Sequence, residues 1–178
     1  MRVKFYILLV AILFVCPQVF AQSGQYQFSQ LNINNGLSHN QVNCIFKDAK
    51  GFMWFGTMAG LNRYDGYTFK VFKHDANNKN SLNDDYIQSI YEGPGQNLWI
   101  LTRNGYSIYN PTTEQFENDI SPWINSLKLP NVGINKIKKD SKGNFWFIYG
   151  GNLGVYKYNP VNGQTTHYGH KAGTLPSF

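Results

Sequence analysis

The chain has little cysteine, little charge and no long apolar run. Only 2 of its 178 residues are Cys. Cys16 falls in an apolar N-terminal stretch, which leaves Cys44 as the one thiol of the remaining chain. A single Cys makes no intrachain disulfide, so stability has to come from packing. Cys44 sits among Val42, Ile45 and Phe46, with Lys47 the one cation nearby. That setting suits a small buried hydrophobe better than an activated thiol. The apolar run over residues 5–15 is shorter than the ~20 residues a bilayer span needs. HExxH, GxSxG and P-loop motifs are missing, which removes the metalloprotease, α/β-hydrolase and P-loop classes. No 3.6-residue apolar stripe marks a helical solenoid.

The N-terminus reads as an export signal. Arg2 and Lys4 precede the apolar run, and Val19-Phe20-Ala21 carries cleavage-site residues. Residues 1–21 are therefore expected to be a signal peptide, cleaved after Ala21. An uncleaved anchor is the alternative, against which the run is short. A lipoprotein signal acylated at Cys16 is another, against which Val15 stands where a small residue is wanted. Removing Arg2 and Lys4 lowers the net charge from +6 to +4. The tight basic cluster, Lys136, Lys138 and Lys139, suits a lysine-guarded strand edge. A nucleic-acid surface needs a broader patch, so no direct nucleic-acid contact is expected.

Aromatic residues and glycines are abundant: 16% are Phe, Trp or Tyr, and 17 residues are Gly. This composition suits short strands joined by tight turns. Trp54, Trp99 and Trp146 recur at intervals of 45 and 47 residues. Nine residues before each is an isoleucine: Ile45, Ile90 and Ile137. Six before are Asp48, Gly93 and Asp140, and three before are Gly51, Gln96 and Gly143. Tyr64, Tyr109 and Tyr158 follow, the last displaced by two extra residues near Gly150-Gly151-Asn152.

Each copy divides into four short strands. The first strands are residues 41–48, 87–92 and 134–139. The Trp strands are 52–57, 97–102 and 144–149. Third strands fall at 61–65, 106–110 and 153–159, and fourth strands at 67–73, 114–119 and 164–169. The Asp-x-x-Gly turns at Asp48–Gly51 and Asp140–Gly143 follow type I turn chemistry. Four strands per ~45 residues with a regular aromatic predict β-propeller blades, an all-β fold of four-stranded antiparallel sheets. Blades are expected at 37–80, 81–130 and 131–173. Residues 22–36 resemble an orphan fourth strand, since Phe28 and Leu31 match Phe69 and Phe72. Residues 174–178 resemble the start of a further repeat. Three blades and a spare strand leave an incomplete ring, so the chain is expected to be an N-terminal piece of a longer protein or a truncated reading frame.

The first copy resembles the two-component-regulator propeller repeat. The resemblance rests on Leu37-Ser38, Asn40, Val42, Ile45, Asp48, Gly51, Trp54, Gly56-Thr57, Gly60-Leu61 and Tyr64-Asp65. The second copy lacks Asp-x-x-Gly and the third lacks Gly-Thr. The likeness covers roughly residues 25–178. It implies the periplasmic sensor region of a hybrid two-component system, a plan common in Bacteroidetes. Such proteins join a signal peptide, two propellers, a β-sandwich, a membrane helix, a histidine kinase, a receiver and a DNA-binding domain. Many sense oligosaccharides and switch on glycan-utilisation genes. The kinase, receiver and membrane helix are not in this sequence.

No catalytic constellation, metal site or cofactor is expected. His39, His74, His167 and His170 are scattered. Asp84-Asp85 would point to opposite sides of a strand. Ligand candidates lie where inter-blade linkers and the loops between second and third strands share one propeller face. They are His39, Asn40, Met58, Asn83, Asp84, Arg103, Asn104 and Asn152. Amides and an Arg suit sugar hydroxyls and acidic groups. The same residue types also build turns. Expected partners are an oligosaccharide, the rest of the propeller with its sensor kinase and, as an open alternative, a second copy in a homodimer. The rival readings are a secreted propeller lyase or hydrolase and a secreted binding scaffold.

Overall fold

A computed structural model of the chain describes residues 28–169. The expected signal peptide and the fragment at 174–178 lie outside them, as does the first part of the expected orphan strand. Residues 28–30 belong to a separate N-terminal unit and form no strand. In the second unit, residues 31 and 32 are also outside any strand. Ile33–Asn35 is a 3-10 turn, capped by the Asn32 side chain, which accepts from the Asn34 amide.

Twelve strands form three separate four-stranded antiparallel sheets. The first sheet comprises β1 (Val42–Lys47), β2 (Met53–Thr57), β3 (Gly60–Tyr64) and β4 (Phe69–Phe72). The second comprises β5 (Ile87–Glu92), β6 (Leu98–Thr102), β7 (Gly105–Asn110) and β8 (Gln115–Glu117). The third comprises β9 (Ile134–Lys139), β10 (Phe145–Tyr149), β11 (Val155–Asn159) and β12 (Gln164–Tyr168). Within every sheet the spatial order follows the chain order. These are propeller blades, and the Trp-based alignment placed all twelve strands. The two extra residues of the third copy are accommodated in a three-residue 3-10 turn, Gly151–Leu153, at the hairpin tip.

The innermost strands of the first two blades are tied side by side: the Asn43 side-chain amide donates to the Ile87 carbonyl at 2.8 Å. Gly56 lets them close up. A Cβ there would sit 2.5 Å from Cys44 Sγ and 2.6 Å from Ile87 Cγ2. Cys44 packs against the first core cluster, as a small hydrophobe. Burial pushes its thiol up to about 11, against a weaker opposing hydrogen bond from Gly56.

Each interface between blades has its own core. Trp54, Leu61 and Phe72 of the first blade meet Ile90, Leu98, Ile100, Tyr109 and Phe116 of the second. Trp54 stands edge-on to Tyr109 at 5.0 Å between ring centres. Such aromatic pairs add about 0.5–1.5 kcal/mol beyond area burial. Trp99, Tyr106 and Ile108 of the second blade meet Ile137, Phe145, Phe147 and Tyr149 of the third. Here the Tyr106 hydroxyl donates to the Ile134 carbonyl at 3.0 Å. Arg63 crosses the first interface to Glu114 at 2.7 Å, and Lys139 pairs with Glu92 across the second.

One element was not expected. A six-residue helix, α1 (Ser121–Ser126), follows β8 inside the segment read as the second blade. Pro122 fits its first turn, where the missing N–H costs nothing. Ile124 is fully buried, and Leu127 and Leu129 beyond the helix join the same core.

Candidate functional site

The repeat's aspartate clamps the tryptophan. In the first blade Asp48 Oδ1 accepts from the Lys50 and Phe52 amides, while Oδ2 accepts from Trp54 Nε1 at 2.8 Å. In the third, Asp140 Oδ1 accepts from the Lys142 and Asn144 amides, and Oδ2 from Trp146 Nε1 at 2.9 Å. Bonds from Asn144 and then Trp146 hold the Asp140 carboxyl well below the usual carboxylate range. Gly51 and Gly143 leave these turns at φ +92° and +82°, where a Cβ is disfavoured. The middle blade has Gly93 in place of the aspartate, and Trp99 Nε1 is buried without a hydrogen-bond partner. So Asp48, Asp140, Gly51 and Gly143 shape turns within their own blades, while Trp54 and Trp99 fill the cores between blades.

A second repeated device fastens the linkers. Thr57 Oγ1 donates to the Gly60 carbonyl across the hairpin tip and meets Ser38 Oγ at 2.8 Å. Thr102 Oγ1 bonds the Gly105 carbonyl at 2.9 Å and Asn83 Oδ1 at 2.6 Å. The Gly60 amide donates to the Asp85 carbonyl at 2.8 Å. The β2–β3 tip of the first blade therefore touches the linker that enters the second. That is the shared face expected from the sequence.

The candidate residues fall into groups on that face. Asn83 and Asn104 exchange long side-chain-to-carbonyl bonds at 3.4 and 3.5 Å. The Arg103 guanidinium stands over the Tyr86 ring, 4.9 Å from its centre, and the Arg103 amide donates to the Tyr86 carbonyl. Asp84 Oδ1 accepts from the Tyr86 amide at 2.6 Å. Met58 is 40% exposed at the tip that Gly60 anchors to this linker. His39 and Asn40 stand on the linker before β1. His39 Nδ1 accepts from Gln41, and Asn40 Oδ1 accepts from Ile33. Asn152 is exposed on the 3-10 turn of the third blade, and among the described residues no hydrogen bond joins it to the others. Arg103 and Asn104 are exposed, so their side chains can reach a ligand as well as the linker.

Tyr86 was missed by reading the sequence. It carries no motif and gains its place only when the linker folds under Arg103. The other histidines take local roles. His74 meets the Leu82 carbonyl at 2.7 Å. His167 stacks on Tyr156 at 4.3 Å between rings. His170 lies outside the described residues. Lys136 and Lys138 pair in register with Ile148 and Trp146 on the third blade.

No helix among the described residues is long and apolar enough to cross a membrane. The family model "Two component regulator propeller" matches residues 36–59, which run from Gly36 through the first Trp strand. Histidine kinase P4 of Formosa agariphila is 33% identical over 69 residues, covering 39% of this chain and 5% of that protein. A solved structure from B. thetaiotaomicron is described as the extracellular domain of a hybrid two component system, BT3049. It matches with a TM-score of 0.56 and 26% identity, over 79% of this chain and 20% of that one. The chain thus spans a small part of either relative. Residues 36–59 thus match the two-component-regulator propeller model, and the three blades share their fold with the extracellular domain of such a system.

Proposed function

We propose that this chain is a ligand-sensing propeller segment of a hybrid two-component sensor. It acts in the periplasm, is non-catalytic in itself, and contributes to detecting oligosaccharides that control glycan-utilisation genes. The observation that carries the reading is the exposed pair Arg103 and Asn104, with the Arg103 guanidinium 4.9 Å from the centre of the Tyr86 ring. The fixed guanidinium presents several donors in a plane, and the neighbouring amide supplies a donor and an acceptor. Vicinal hydroxyls and sugar carboxylates match that set. The relatives support a sensor setting, since one is a histidine kinase and another a sensor's extracellular domain.

Calorimetric titration of the purified chain with a panel of neutral and uronic-acid oligosaccharides tests the reading. Binding by at least one is expected, weakened about tenfold or more by Arg103→Ala, a loss of about 1.4 kcal/mol. No binding across the panel, or affinity indifferent to Arg103→Ala, overturns the site. Turnover of a polysaccharide by the chain overturns the non-catalytic assignment.

A further inference from the structure

Each blade has one face that carries its Trp. Residues opposite each other on neighbouring strands share a face, so register names the neighbours of each Trp. In the first blade Trp54 lies between Phe46 and Arg63, with Cys44 two residues before Phe46. In the second, Trp99 lies between Tyr91 and Ile108, with Ser89 in the place of Cys44. In the third, Trp146 lies between Lys138 and Lys157, with Lys136 in that place. Three lysines stand where the other two blades together have one cation, Arg63.

The two covered faces show how each kind of position is met. Cys44 and Phe46 pack into the core shared with the second blade, and Tyr91 and Ile108 into the core shared with the third. Arg63 is met by Glu114 at 2.7 Å, from the turn before β8 of the covering blade. Lys70, opposite Arg63 in register, pairs with the same carboxylate. Apolar positions receive apolar side chains, and the cation receives an anion, because a charge placed under a blade needs a partner.

Among the described residues nothing covers the third Trp face. Trp146, Ile148, Val155 and Tyr168 border an open concavity of about 590 Å³, which Lys138 also lines. Lys136 pairs in register with Ile148 on this face. The Lys157 ammonium stands 5.4 Å from the centre of the Trp146 ring, as the Arg63 guanidinium stands 5.8 Å from that of Trp54. The charged groups beside them are engaged: Lys139 with Glu92, and Asp140 with the Trp146 indole. Among the described residues Lys136, Lys138 and Lys157 form no salt bridge.

We propose that the Trp146 face takes an acidic cover: a further blade of the same propeller that sets carboxylates against Lys136, Lys138 and Lys157. The proposal rests on reading the chain as a segment of a longer sensor. Lys157, in Arg63's place, meets a carboxylate in Glu114's place, on the turn before the last strand of the covering blade. Lys136 and Lys138 meet carboxylates from its innermost strand, as Ile87 of β5 lies against Gly56 and Cys44 in the first interface. An apolar cover like that over Trp99 would leave three ammonium groups without partners. The first blade cannot serve as the cover, because β1 to β4 contain no Asp or Glu. The lysines thus select one neighbour and reject the others.

The test is carbodiimide coupling of the native sensor's ectodomain, read by peptide mass spectrometry. Lys136, Lys138 and Lys157 should be joined to Asp or Glu residues of the same chain beyond Phe178. Coupling of Lys139 to Glu92 serves as the internal control. Lys138→Glu should lower the thermal midpoint of the ectodomain by about 2 °C or more, and Lys138→Arg should leave it level. The proposal is overturned if the three lysines couple to nothing, or only to residues 1–178, or to a separate protein. A native protein that ends at Phe178 overturns it as well, and so do equal midpoints for Lys138→Glu and Lys138→Arg. An ectodomain that forms these couplings yet binds no oligosaccharide sinks the ligand reading and leaves the acidic cover standing. Arg103-dependent sugar binding without the couplings does the reverse.

Discussion

At the scale of single residues, the aspartate that opens a blade's turn matters as an indole acceptor. Asp140 takes bonds from two backbone amides, the Asn144 side chain and Trp146 Nε1. Its carboxyl lies below the ordinary value of 3.8. The unfolded chain therefore binds more protons than the folded one as pH falls into that range. The stability Asp140 contributes is complete above about pH 5 and drains away as acid protonates the folded carboxyl. Chemical denaturation of Asp140→Asn should give a lower midpoint than the wild type at neutral pH. The gap should narrow as the pH drops below the ordinary carboxylate value. A gap that stays constant with pH would mean the carboxylate's charge plays no part.

At the scale of elements, the strands were legible and the helix was not. Trp54, Trp99 and Trp146 set the phase of all three copies, and the turn residues between them placed the strand ends to within about two residues. Helix α1 is too short to show a 3.6-residue stripe, and Ser121-Pro122 is a start signal without a matching stop. Ile124→Ala should cost about 2–4 kcal/mol by urea denaturation, as expected for a fully buried aliphatic side chain. A cost under about 0.5 kcal/mol would make α1 a surface ornament. The candidate site was half legible for a related reason. Asn83 and Asn104 were found because turns and ligands want the same amides. Their mutual bonds, and the Tyr86 ring under Arg103, arise only once the linker folds.

At the scale of the whole molecule, the middle blade is the one covered on both faces among the described residues. Its two interfaces have separate cores, so each can be weakened alone. Tyr106→Phe removes the hydroxyl that ties the second blade to the Ile134 carbonyl of the third. It should cost about 0.5–1.5 kcal/mol by urea denaturation. An unchanged midpoint would mean that this bond adds nothing to the contact between blades.

The middle blade's missing aspartate also limits how such blades can be rearranged by design. A Cβ on Gly93 would lie 2.1 Å from Trp99 Cδ1, so the indole occupies the space that an aspartate side chain would need. From there the ring meets Trp123 of α1 edge-on at 6.4 Å. The helix and the glycine are thus two halves of one exchange, an indole hydrogen bond given up for an aromatic contact. Restoring an aspartate to the middle blade would require the Trp99 indole to move off Gly93.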